Sequence, residues 1–190
     1  MNARFLAAVL LSTPWLLSDS AKAAQYTIDP SHASVQFRIS HLGFSTMTGR
    51  FDKFAGHFEW DEAHPERASV EITIDTASIN TNWAERDKHL REPRYLGVEA
   101  YPQASFRSTS YSGDAHGGKL LGELTLHGVT RTLGIDIKRV GEGHDPWGDY
   151  RAGFDGTATL RRADYGVGYD LGPTAQSMEF ELHIEGIRGK

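Results

Sequence analysis

Strict alternation of apolar and polar residues dominates the chain from residue 24 onward. Between Ser34 and Ser40, Val35, Phe37 and Ile39 share one face while Gln36, Arg38 and Ser40 share the other, the pattern of a half-buried strand. The same period recurs in Arg50 to Trp60, Ser69 to Thr76 and Ala104 to Tyr111. It continues in Lys119 to His127, Arg131 to Val140, Tyr150 to Leu160 and Ser177 to Ile187. Eight strands are therefore predicted, with Tyr26 to Ile28 as a short addition. Ser112-Gly113-Asp114, Gly117-Gly118, His127-Gly128 and the stretch from Gly141 to Gly148 fall between the alternating runs and read as turns. A single helix is predicted over Asn82 to about Arg91, with Asn82 as N-cap, Glu85 at capping-box spacing and Pro93 discouraging continuation. Its inner face would carry Trp83, Leu90 and Asp87. One short helix cannot cover eight strands, so the fold class is all-β, a sheet folded as a sandwich or closed as a barrel. Closure has the merit of removing edge strands. By strand phase, Gly56, Gly122, Gly156, Ser108 and Ser110 point inward among larger apolar residues, which leaves room for a narrow apolar tube. The same glycines also suit bends and bulges.

Residues Met1 to Ala23 interrupt this picture. Arg4, the apolar stretch Phe5 to Leu17, and Ala21-Lys22-Ala23 have the organisation of a cleaved secretory signal, and the stretch is too short to anchor in a bilayer. Residues 1–23 are thus expected to be removed, leaving one domain over residues 24–190, exported and without an integral membrane segment. The full chain carries a net charge of −5; loss of Arg4, Lys22 and Asp19 makes it −6. This mildly acidic balance, without a basic stripe, argues against nucleic-acid binding. With no cysteine, stability must come from packing, and thiolate chemistry is excluded.

The chain offers little chemistry. Its nine histidines show neither H-x-H nor H-E-x-x-H spacing, and no metal is expected; His41 and His57, on neighbouring strands, are the pair a fold could bring together. No nucleophile elbow or phosphate-binding glycine motif is present. Charge concentrates in Glu85-Arg86-Asp87-Lys88-His89-Leu90-Arg91, where Arg86, Lys88 and Arg91 could meet a ligand head group or simply form a solvated, self-paired helix face. Trp147 reads as a turn anchor or as a plug.

Several segments together resemble the YceI-like family of bacterial periplasmic polyisoprenoid-binding proteins. They are Tyr26-Thr27-Ile28-Asp29, Phe37 to Gly43, Asn82 to Arg91, Tyr101 to Phe106, Gly122 with Leu124-Thr125-Leu126, and Gly128-Val129-Thr130. Asp145-Pro146-Trp147-Gly148, Arg151-Ala152-Gly153-Phe154 and Asp170-Leu171-Gly172-Pro173 follow. The resemblance implies an extended eight-stranded antiparallel lipocalin-like barrel, with one short helix near its mouth, enclosing an isoprenoid lipid such as a polyprenyl diphosphate or an isoprenoid quinone. It implies no reaction, no catalytic residue and no cofactor beyond the bound lipid. Strand phase then nominates Phe37, Ile39, Phe58, Ile72, Ile74, Phe106, Leu124, Leu126, Ile135, Phe154, Phe180 and Leu182 as the lining. His41, Trp83, Arg86, His89 and Arg91 are nominated for the head group or mouth. The expected role is a carrier or reservoir. Competing readings are an enzyme acting on the head group through His41, Asp75, Arg86 or His89, and an empty barrel serving as an envelope interaction module. Transient contact with a membrane or membrane partner, and a homodimer, remain open.

Overall fold

The computed structural model describes residues 23–167 and 172–189; the expected signal segment, bar Ala23, and Asp170-Leu171 lie outside them. In chain order the strands are β1 (Ala24–Ile28), β2 (Ser34–His41), β3 (Ser45–Phe51), β4 (Phe54–Trp60), β5 (Ser69–Asp75) and β6 (Ile79–Asn80). After the helix α1 (Ala84–Leu90) come β7 (Gln103–Gly113), β8 (Gly117–Leu126), β9 (Val129–His144), β10 (Tyr150–Arg161) and β11 (Ser177–Arg188). All pairings are antiparallel. β1 and β2 lie end to end along β11, β3 and β4 form the next stave, and β5 and β6 the one after. Eight staves result, and β1 closes the ring by pairing Tyr26 with Phe58 of β4 on one side and Arg188 of β11 on the other.

The breaks in the three composite staves have local causes. Pro30 has no amide hydrogen for a ladder and interrupts the first. The other two break opposite one another, where Asp52 N bonds Ser78 O and Asp75 N bonds Lys53 O across a 3-10 turn at Thr76–Ser78. The far wall is uninterrupted: β10 and β11 stay paired from Arg151↔Ile187 to Arg161↔Ser177. At about 3.4 Å per residue these 12-residue strands are roughly 40 Å long, hence an extended barrel even after strand tilt.

Four expectations from the sequence change. β3 was not anticipated before Arg50, because Ser45-Thr46-Met47-Thr48 offers little apolar alternation. A register shift around Thr109 turns Ser110 outward and puts the buried Tyr111 at the inward position. The helix begins at Ala84, with Trp83 at the N-cap and Asn82 in the left-handed region at φ 63°. Trp83 itself is 61% exposed and does not face the interior. Asp87 supplies the polar anchoring instead: its buried carboxylate accepts from Thr81 N at 2.8 Å and from Thr81 Oγ1 at 2.5 Å. Asp87→Ala strands the buried Thr81 amide and is expected to cost about 1–3 kcal/mol in chemical denaturation. Glu85→Ala, on the exposed side, should stay within about 0.5 kcal/mol of wild type.

Candidate functional site

Inward side chains of the eight staves surround an apolar cavity of about 170 Å³. Its walls run from Trp60, Ala68 and Ser69 at one end to Leu126 and Leu96 at the other, so it follows the barrel rather than sitting in one layer. At Gly156 the neighbouring side chains close in on the strand: a Cβ there would meet methyl groups of Ile135, Ile137 and Leu182 at 3.1–3.3 Å, tighter than ordinary contact. Gly122 has a different use. A Cβ there would lie 2.3 Å from Phe106 Cζ, so the glycine lets the Phe106 ring lie flat across β8.

Ten of the nominated lining residues border this cavity: Phe58, Ile72, Ile74, Phe106, Leu124, Leu126, Ile135, Phe154, Phe180 and Leu182. Phe37 and Ile39 are buried but lie outside its wall. Phe37 instead packs between Phe51 and Phe180, with ring centroids 5.9 and 6.3 Å away. Leu96, in the loop after α1, and Tyr111, displaced inward by the bulge, also border the cavity and were not nominated. Alternation could not find Leu96 because it belongs to no strand. Tyr111 donates its hydroxyl to Asp114 O at 2.8 Å, and burial pushes its pKa up. Water needs two to four polar partners to settle in such a space. An apolar occupant needs none.

The five residues nominated for a head group do not converge on the cavity, although Arg86 Cζ lies 5.5 Å over the Trp83 ring. His41, Trp83 and His89 are exposed, and none of the five borders the cavity. Arg86 turns back to donate through Nε to Thr81 Oγ1 at 2.7 Å and through Nη2 to Thr81 O at 2.6 Å. Arg91 donates to Ala77 O and Ile79 O at 2.8 and 2.9 Å. Both guanidinium groups therefore fasten α1 to the barrel. Trp147 is 86% exposed and plugs nothing; its turn is held by Asp145, which accepts from Trp147 N and Asp149 N. Among the described residues Asp29, His32 and Glu185 group their ligand atoms within 4.8 Å, but Arg151 already donates to both carboxylates there. Neither His41 nor His57 belongs to that group.

Closed antiparallel barrel, apolar bore and single short helix define a lipocalin-like barrel. The YceI-like domain family matches residues 26–186, and the chain belongs to that family. A UPF0312 protein of Pseudomonas aeruginosa is 46% identical over 190 residues, covering 99% of this chain and all of the relative. A UPF0312 protein of Ectopseudomonas mendocina is 48% identical over 186 residues, covering 96% and 97%. Among solved structures, the Campylobacter jejuni YCEI protein superposes with a TM-score of 0.72 at 25% identity, covering 80% of this chain and 91% of that one. A polyisoprenoid binding domain from Saccharophagus degradans, implicated in plant cell wall breakdown, gives a TM-score of 0.64 at 18% identity, covering 88% and 100%; at that distance the likeness is one of fold.

Proposed function

We propose that the protein holds the tail of an isoprenoid lipid inside the barrel, as a carrier or reservoir rather than as an enzyme. The observation that carries this reading is the continuous apolar wall from Trp60 to Leu126 within a closed barrel. Burial of apolar area at about 25 cal/mol per Å² rewards a long hydrocarbon, and the absence of polar partners along the bore penalises water. Family membership supports the isoprenoid class, as does the polyisoprenoid binding domain among its fold neighbours. The carrier reading is favoured over the enzyme because His41, Arg86 and His89 lie off the cavity wall and Arg86 is engaged with Thr81. The location is proposed to be the periplasm after cleavage behind Ala23; Ala24 is the first residue of β1, so such a cut would leave the barrel whole.

Native mass spectrometry of protein purified from its exported compartment, followed by organic extraction, tests the reading. One stoichiometric isoprenoid mass per chain is expected. A folded protein that carries none, and takes up none when offered a polyprenyl hydrocarbon, would overturn it in favour of an empty interaction module.

A further inference from the structure

A tight turn is the usual place of Gly, Asn, Asp or Ser, yet the tip between β2 and β3 carries two large apolar side chains, Leu42 at 53% exposure and Phe44 at 85%. Phe44 N donates to His41 O at 2.9 Å and Gly43 N to Ser40 Oγ at 3.1 Å, so the turn is closed on itself. Its central residues Leu42 and Gly43 both have positive φ, 54° and 79°, as in a type I′ turn. Asn, Asp or Gly fill the first of these positions by default, and a bulky side chain there is an outlier. A turn that served only to reverse the chain would have no use for leucine at this place.

The strand register fixes where the tip points. β2 meets β11 at Arg38↔Glu179 and β11 meets β10 at Ser177↔Arg161, so the tip projects past the end of β10. β9 begins at this same end, where Val129 pairs with Leu126 of β8. The tip therefore stands at the Leu126 end of the apolar cavity, beside Gly172 and Thr174. The exposed Trp83, with Arg86 Cζ over its ring, lies in the same half of the barrel, because the Thr81 methyl comes within 2.9 Å of where a Cβ on Gly49 of β3 would be.

What meets this tip follows from its chemistry. From Ser40 to Gly49 and from Gly172 to Met178 the chain has no acidic side chain, although its net charge is −5. Exposed His41, Ser45 and Thr46 flank the two apolar side chains. A protruding apolar tip framed by hydroxyls and free of carboxylates suits the boundary between lipid headgroups and acyl chains. Tryptophan favours the same boundary, where a neighbouring arginine keeps its charge in water. A cargo whose tail gains by leaving water has no aqueous pool to be drawn from, so its source and its destination are lipid surfaces.

We infer that the β2–β3 tip docks the protein on a lipid bilayer, with Leu42 and Phe44 entering the acyl boundary. Choosing a lipid over a protein partner rests on the tail-binding reading above, to which the tip adds the surface at which protein and membrane meet.

Flotation with isoprenoid-free vesicles of phosphatidylethanolamine and phosphatidylglycerol tests docking apart from cargo. Wild type is expected to float with the vesicles. The double variant Leu42→Asn/Phe44→Ser is expected to lose at least about tenfold in vesicle affinity, since burial of either apolar side chain supplies about that factor. Asn-Gly is a preferred type I′ pair, so the urea midpoint of the variant should equal or exceed that of wild type, which reports an intact fold. Trp147→Ser removes an equally exposed aromatic from the β9–β10 turn at the opposite end and should leave vesicle binding unchanged. A wild type that stays behind while the vesicles float overturns the inference, and so does a folded double variant that floats as wild type does. Equal loss in Trp147→Ser also overturns it, since binding would then be general adsorption. If wild type ignores vesicles and the double variant instead breaks a dimer seen in sedimentation, the tip is a contact between copies. Failure of delipidated wild type to take up a polyprenyl hydrocarbon from detergent, with flotation intact, would sink the tail-binding reading and leave the docking surface standing.

Discussion

Gly156→Leu is expected to lower isoprenoid retention at least tenfold without unfolding the barrel. Gly156 sits mid-strand in β10, opposite Ile137 of β9 and Leu182 of β11, and it borders the apolar cavity. The groups nearest to an added Cβ are Ile135 Cγ2, Ile137 Cδ1 and Leu182 Cδ1, side-chain methyls rather than backbone; the two Cδ1 groups can rotate away, whereas Ile135, branched at Cβ, has to give by a few tenths of an ångström. Four added carbons at this height obstruct a bore of about 170 Å³. Overpacking costs typically about 1–3 kcal/mol. New apolar burial, together with removal of a strand glycine worth about 0.5–1 kcal/mol, offsets much of that. The variant separates ligand loss from fold loss, which a charge at the buried Phe106 would not. Gly143→Ala, where an added Cβ meets nothing within 4 Å, serves as the matched control and should retain lipid as wild type does. A folded Gly156→Leu protein that extracts with its full complement of lipid would remove the cavity from the binding site.

The sequence made the barrel legible where one face of a strand is buried and the other wet. In β8, Leu120, Leu124 and Leu126 are buried with Gly122 on the same face, as their alternation requires. The same rule failed at Tyr111, since one extra residue at Thr109 inverts every later side chain of the strand, and a bulge has no hydrophobic signature. It failed at Trp83 because an apolar residue at a helix start was assigned to the core by spacing, whereas anchoring comes from the Asp87 carboxylate on Thr81. Arg86 and Arg91 looked like ligands for a head group because their charge was visible and their bonds to backbone carbonyls were not. The polar recess bordered by Tyr26, Trp60, Glu142, Tyr150 and Arg188 was illegible for a further reason: these residues come from β1, β4, β9, β10 and β11 and meet only when the barrel closes.

Closure itself depends on a charged clamp, and Arg151→Met is expected to produce the largest loss of stability among surface-side substitutions. Arg151 in β10 donates through Nη1 to Asp29 at 2.8 Å and to Glu185 at 2.7 Å, and through Nε to Asp145 at 2.6 Å. Asp29 follows β1 and Glu185 lies in β11, so one guanidinium group joins the strands at the seam of the ring. Three of the segments that carry the family resemblance, around Asp29, Asp145 and Arg151, meet here. Hydrogen bonds from Ser31, His32 and Arg151, in that order, hold the Asp29 carboxyl well below the usual carboxylate range, and the hydrogen bond from Arg151 also lowers the pKa of Asp145. A depressed folded-state pKa stabilises the fold above the unfolded value of 3.8 and is lost as pH falls below it. Urea midpoints measured from pH 7 to pH 2 should therefore show wild type above Arg151→Met at neutral pH. The gap should narrow steadily below about pH 5, as the carboxyls left unpaired in the variant take up protons more readily than those in wild type. Because Arg151 keeps part of its surface in water, added salt should shrink the gap at neutral pH. A constant offset across the acid range would mean that Arg151 acts through packing of its stem and not through the carboxylates it bridges.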